Sequence, residues 1–253
     1  IYDTQNGRVF IFYRDGGANK VKGIVGQISG TSISFGSASI AASTGQVITT
    51  TFCGNDGSGN GLVFAAWNDN VGSGPPQAAM GTIVGGSTNS ITWGSVTTFA
   101  DTNAYRFAAE YSTTDSKVIL VYGDFATGDF KTLAALGTIS GTSVSIGSTV
   151  TIRSGNTNTA ELKSAYDSNT NQSVNVIRNI TDNVGTSVVV SPTSLSTNLT
   201  AENFIGFSDA GYTNGQTAKI QIAGSVDDAQ TGLTTGSGHF VQNDGTLSTT
   251  AGT

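Results

Sequence analysis

Gly26-Gln-Ile-Ser-Gly-Thr-Ser-Ile-Ser-Phe-Gly36 is the stretch whose reading decides the fold, because it comes back. It returns in two pieces, Gly81-Thr-Ile-Val-Gly85 and Ser90-Ile-Thr-Trp-Gly94, with a short insertion between them. It returns again as Gly137-Thr-Ile-Ser-Gly-Thr-Ser-Val-Ser-Ile-Gly147. Each copy follows an apolar run that ends in an aromatic and an acid: Val9-Phe-Ile-Phe-Tyr-Arg-Asp15, Leu62-Val-Phe-Ala-Ala-Trp-Asn-Asp69 and Val118-Ile-Leu-Val-Tyr-Gly-Asp124. A worn fourth run is Val174-Asn-Val-Ile-Arg-Asn179. A period of about 55 residues marks a repeat architecture, in which one supersecondary unit is stacked on the next.

Each unit reads as four strands bounded by Gly, Asn, Asp and Ser, the residues of tight turns. In the third copy these are Tyr105 to Tyr111, Lys117 to Tyr122, Thr132 to Ile139 and Ser143 to Ile152. Asn6-Gly7 predicts a type I′ hairpin between the first two strands of the first copy. The second strands are apolar at nearly every position, as in Val9 to Phe12 and Val118 to Val121, so they call for cover on both faces. The fourth strands alternate, as in Ser143-Val-Ser-Ile146, which predicts exposed serines and a half-wet strand. Buried central strands with half-exposed outer ones describe a propeller blade between neighbours. The fold expected is all-β: a β-propeller-like array of four-stranded blades over residues 1–198, followed by a small β-module over 199–253. The array holds roughly 3.5 to 4 blades at this period. The opening Ile1-Tyr2-Asp3 matches Glu110-Tyr111 and Ala165-Tyr166-Asp167, so the chain is expected to begin inside a blade of something longer.

Composition narrows the function classes. Of 253 residues only 11% are charged, 37% are apolar and 34 are glycine, a profile of many short strands rather than disorder. The net charge of −6 argues against a nucleic-acid partner. No apolar run is long enough for a membrane-spanning helix and no polybasic anchor is present, so membrane insertion is not expected. Cys53 is alone and forms no internal disulfide; it reads as a small buried apolar residue.

The Tyr-Asp, apolar strand, Tyr-Arg-Asp and Gly-Thr-Ile-Ser-Gly-Thr-Ser block resembles repeats of tail-fibre and other virion proteins of tailed bacteriophages, notably marine and cyanobacterial phages. Leu199-Thr-Ala-Glu-Asn-Phe-Ile-Gly-Phe207, Asn214-Gly-Gln-Thr217, Thr231-Gly-Leu-Thr-Thr-Gly236 and Val241-Gln-Asn-Asp-Gly-Thr-Leu-Ser-Thr-Thr250 look like the module that often closes such proteins. The chain departs from that module at Thr235, where proline is usual, and at His239-Phe240, where a tyrosine pair is usual. The resemblance implies a non-enzymatic structural or attachment protein of a virion, extracellular, a tail fibre, spike or decoration. Its partners would be other virion proteins, copies of itself, or a host-surface glycan or protein. A secreted or cell-surface bacterial adhesin and a sialidase-like propeller enzyme are the alternatives.

The candidate binding residues follow from the repeat. Asp15, Asp69 and Asp124 are spaced 54 and 55 apart, with Asn179 in the worn copy, so they occupy one place in each blade. A ring of such acids could bind Ca²⁺ or sugar hydroxyls; the alternative is a turn-former bonding its own backbone. Tyr13, Trp67 and Tyr122 precede those acids and are candidates for stacking on sugars, or for packing between blades. Pro75 and Pro76 stiffen the longest inter-strand loop, Asn68 to Gln77, a candidate contact surface. No metal loop, cofactor motif or catalytic residue is expected. The five arginines, Arg8, Arg14, Arg106, Arg153 and Arg178, do not share a repeat position, and His239 lacks a Gly-x-Ser-x-Gly partner for a triad.

Overall fold

Four antiparallel sheets follow one another along the chain in a computed structural model. It describes residues 1–69, 74–84, 89–101, 103–124, 131–153, 159–179, 185–193, 195, 207–208, 219–221, 233–234, 237–241 and 247–250. No helix occurs among them. Sheet I contains β1 (Tyr2–Asp3), β2 (Arg8–Asp15), β3 (Lys20–Ser29), β4 (Ser32–Phe35) and β5 (Ser39–Ala42). Sheet II contains β6 (Gln46–Asn55), β7 (Gly61–Asn68), β8 (Pro76–Val84), β9 (Ser90–Trp93) and β10 (Thr97–Thr98). Sheet III contains β11 (Ala104–Ser112), β12 (Lys117–Asp124), β13 (Lys131–Ser140), β14 (Ser143–Ile146) and β15 (Val150–Arg153). Sheet IV contains β16 (Thr159–Asp167), β17 (Gln172–Asn179) and β18 (Gly185–Val190). Every neighbouring pair is antiparallel, and each sheet is a meander with its first strand at one edge.

The Gly-Thr-Ser block turns out to be a hairpin and a bulge. Ser29 pairs with Ser32 and Ser140 with Ser143, leaving two-residue turns in which Gly30 (φ +58°) and Gly141 (φ +57°) take the left-handed conformation, as a II′ turn requires of its first residue. The final glycine starts a break. Gly137 pairs with Ile146 but Ala134 pairs with Val150, so three residues oppose two and the outer strand divides into β14 and β15. The same step follows Gly36 and Gly94, whose amides donate to Val25 O and Met80 O at 3.0 and 2.8 Å. The single fourth strand expected from Ser143 to Ile152 is therefore two short strands on one partner.

The Asn6-Gly7 hairpin also differs from expectation. Asp3 pairs with Arg8, so the loop has four residues, and only Gly7 has positive φ. Asp3 causes this: its Oδ1 accepts the amides of Gln5 and Asn6, both at 3.1 Å, and organises a wider turn.

Sheets pack front on back in sequence. The front of sheet I presents Phe10, Val21 and Val25 to the back of sheet II, which offers Val63, Ala65, Trp67 and Ile83. Phe64, Ala66 and Met80 on the front of sheet II meet Val118, Leu120, Tyr122 and Val144 on the back of sheet III. Ile119, Val121 and Ala134 then meet Leu162, Ile177 and Val190 of sheet IV. Val118 to Val121 are buried and Ser143 and Ser145 are exposed, as the alternation predicts. β2 is the exception. Ile11 is exposed, and so is the whole of β4, because no described sheet covers the back of sheet I. Among the described sheets, sheet I stands at one end of this stacked series and sheet IV at the other.

Residues Ile1–Leu195 form one compact unit and Ser196–Thr253 another. In the second, β19 (Phe207–Ser208) pairs with β20 (Ile220–Gln221), and β21 (Phe240–Val241) with β22 (Leu247–Ser248). The expected Asn214-Gly215 turn lies outside the described residues.

Candidate functional site: an aromatic cleft where the first strands meet

One register position recurs at the end of each first strand. Tyr2 pairs with Val9, Phe52 with Val63, Tyr111 with Val118 and Tyr166 with Ser173. The first strands of neighbouring sheets lie side by side, β6 against β11 and β11 against β16. Their ends therefore converge, and the four aromatics line one cleft of about 480 Å³. Thr4, Gln5, Thr51, Glu110 and Thr113 supply polar groups to the same wall. Aromatic faces with a few fixed polar groups are the usual lining of a small-molecule site.

Polar ties hold the sheet III and IV side of this cleft. Ser164 Oγ donates to Glu110 Oε1 at 2.8 Å. Tyr166 Oη donates to Asn171 Oδ1 at 2.7 Å, and Asn171 Nδ2 donates to Asp115 Oδ2 at 2.6 Å. Burial pushes the Glu110 carboxyl above its ordinary value, and the Ser164 hydroxyl partly opposes that shift. A half-desolvated carboxylate beside aromatic rings is an acceptor suited to ligand hydroxyls.

The recurring acids lie elsewhere, at the far ends of the second strands, six residues beyond the positions that pair with the cleft aromatics. Each has a different setting. Asp15 accepts from Lys22 Nζ at 2.6 Å and from the Gly17 amide at 3.2 Å; the Lys22 contact, first of these, holds its carboxyl below the usual range. Asp69 accepts from Thr44 Oγ1 at 3.2 Å. Asp124 is buried at the end of β12. Among the described residues no three of His, Cys, Asp and Glu come together as a metal site. The side chain of Asn179 lies outside the described residues.

The aromatics before those acids face the preceding sheet. Trp67 is buried, 6.2 Å from Phe12 across the sheet I–II interface, and its Nε1 donates to Gln77 Oε1 at 3.0 Å. Tyr122 is buried 5.7 Å from Phe99 and 5.9 Å from Phe107. Burial, with the Asp124 carboxylate adding to it, pushes the Tyr122 phenol upward. Neither ring offers a face to solvent here. Tyr13, at the same position, is half-buried, since no described sheet packs on the back of sheet I. Pro76 is buried at the start of β8, and Pro75 O accepts the Asp69 amide at 3.0 Å; residues 70–73 of that loop lie outside the described residues. His239 is engaged by its own turn, its Nε2 accepting from the Thr234 amide at 3.2 Å.

The cleft residues were not singled out by sequence. Their signal was present: Ile1-Tyr2, Glu110-Tyr111 and Ala165-Tyr166 align, and Phe52 takes the remaining copy. No family model matches the chain. No curated protein matches it either. A crystal structure of a protein from Lactobacillus plantarum is similar at 11% identity and a TM-score of 0.41, over 80% of this chain and 56% of that one; the chain thus spans little more than half of its length.

Proposed function

We propose that this chain is a non-enzymatic structural or attachment protein of a tailed-bacteriophage virion, a fibre, spike or decoration that contacts the host surface or other virion proteins. The phage placement rests on the resemblance of the repeat and of the C-terminal motifs. The observation that carries an attachment role is the cleft, where sheets I to IV each contribute an aromatic at one register position. Ring faces take up the C–H faces of a sugar, while Glu110, Gln5 and the threonines offer partners to its hydroxyls. A rigid β scaffold holding such groups binds with little ordering cost.

Two measurements test this reading. Mass spectrometry of purified virions should find the chain, and antibody labelling should place it on the particle. Its absence from virions together with recovery from a bacterial cell surface would make it an adhesin instead. The chain should also bind host-cell polysaccharide, with binding weakened about tenfold or more by Tyr111→Ala, as expected for a stacking aromatic worth roughly 1.5 kcal/mol. Turnover of sialylated glycans that is lost on replacing an arginine would overturn the non-enzymatic reading.

A further inference from the structure

The two ends of the array carry the two halves of an interface that the chain already makes three times. On the back of sheet I, Ile33 is 42% exposed and Phe35 47%, with Ile11 and Ile28 also open to solvent. These positions are occupied on sheet II by Ile91, Trp93, Ala65 and Ile83, as the pairing of Gly26 with Phe35 and of Gly81 with Trp93 establishes. Ile83, Ile91 and Ala65 are buried against the front of sheet I, and on sheet III the corresponding Val144 and Leu120 are buried against the front of sheet II. At the other end, Val176 on the front of sheet IV is 52% exposed, with Val174 and Val189 beside it. Their equivalents Ile119 and Val121 on sheet III, and Phe64, Ala66 and Met80 on sheet II, are buried.

We infer that this chain self-associates head to tail, the front of sheet IV of one copy packing on the back of sheet I of the next. On sheet IV the valines form a strip, Val174 and Val176 along β17 with Val189 beside Val174, bordered by Lys163 and Ser187 on either side of Val176; exposed apolar groups of this kind mark interaction sites. The choice of occupant comes from continuity: each internal step sets an apolar front on a back that is apolar in sheets II and III and mixed in sheet IV, where Ser173 and Asn175 are buried beside Ile177, and sheet IV followed by sheet I is the next step of that series. The contact is heterologous, using two different patches, so it builds a ring where the rotation closes and a filament where it does not. Tyr2, paired with Val9, lies on the same back face as Ile11, so the contact draws it in as the internal interfaces draw in Phe52, Tyr111 and Tyr166. The inference is independent of any virion location.

The test uses the full 253-residue chain and two variants altered on solvent-exposed side chains, Phe35→Lys and Val176→Lys. Sedimentation velocity of the wild-type chain should show mass rising with concentration. Either variant alone should be monomeric, since each lacks one half of the contact. An equimolar mixture should form a heterodimer and stop there, because only the intact fourth sheet of the first and the intact first sheet of the second remain. A wild-type chain that stays monomeric up to roughly 100 μM, well above micromolar affinity, overturns the inference. So does either variant that still forms a homodimer, which would mean a face pairs with itself, and so does a mixture that remains monomeric. Circular dichroism checks that both variants fold; if a lysine prevents folding, Ile33→Ser and Val189→Ser serve the same design.

Discussion

Leu120 and Ile11 sit at one position of the repeat, two residues past the valines that pair with Gly137 and Gly26, yet Leu120 is 0% exposed and Ile11 41%. Alanine at each should therefore cost different amounts. Leu120 packs in the interface between sheets II and III with Phe64, Ala66 and Phe107. Truncating it removes transfer energy and leaves a cavity, about 3–4 kcal/mol together. Truncating Ile11 removes three carbons worth about 0.8 kcal/mol each, scaled by the buried fraction, and water fills the space; the sum is about 1.4 kcal/mol. Guanidinium unfolding, followed through the fluorescence of Trp67 and Trp93 at low micromolar concentration, reads the difference. With a slope of about 5 kcal/mol/M, the midpoint should fall by about 0.7 M for Leu120→Ala and about 0.3 M for Ile11→Ala. Equal shifts would show that the back of sheet I is covered within a single chain, and the reading of it as uncovered would be wrong. A Leu120→Ala shift below about 0.2 M would mean that sheets II and III do not share a packed interface.

Three further outcomes follow from the same contacts. A Cβ on Gly94 would lie 1.9 Å from Thr142 O of the neighbouring sheet, whereas one on Gly147, the equivalent bulge glycine, meets nothing closer than Leu136 O at 3.6 Å. Gly94→Ala should cost about 3 kcal/mol or more and Gly147→Ala less than about 1, by thermal or denaturant unfolding; similar costs would remove the close approach of sheets II and III. Glu110 has its folded carboxyl pKa raised, so its ionisation opposes folding: wild-type stability is fully present below the unfolded value near 4.5 and falls as pH rises through the folded value. Glu110→Gln keeps an acceptor for Ser164, so it should match wild type at pH 4 and exceed it at pH 7; a deficit at pH 7 that vanishes in acid would reverse the sign argued here. Burial pushes the Cys53 thiol up to about 12, so the native chain should resist a thiol-specific disulfide reagent at pH 8 and react once per chain when unfolded; rapid native labelling would place Cys53 at the surface.

What the sequence made legible was local and periodic. The run Val118 to Val121 specified a strand covered twice, and it is. The same pattern at Val9 to Phe12 read identically but is covered only once, since a strand's pattern records the cover that a face needs and not where that cover comes from. The end glycine of each block was visible as a breaker, but a bulge and a turn use the same residue, and only the pairing of Ala134 with Val150 separates them. Asn6-Gly7 matched a two-residue turn until Asp3, outside the dipeptide, captured the loop amides.

The site was harder still, and Tyr13, Trp67 and Tyr122 show why. They share one repeat position and one chemical type, yet two are sealed between sheets and the third is half-open because no described sheet packs against it. Recurrence at that position is what stacking sheets require, since every back face needs a large side chain to fill the space in front of it. A recurring aromatic becomes a candidate site where strands from different repeats end together around a shared cleft. Tyr2, Phe52, Tyr111 and Tyr166 line such a cleft because they lie at the meeting ends of the first strands, at one edge of each sheet rather than in its centre, even though Phe52, Tyr111 and Tyr166 also pack against the cores between sheets. That property belongs to the topology, and no single repeat contains it.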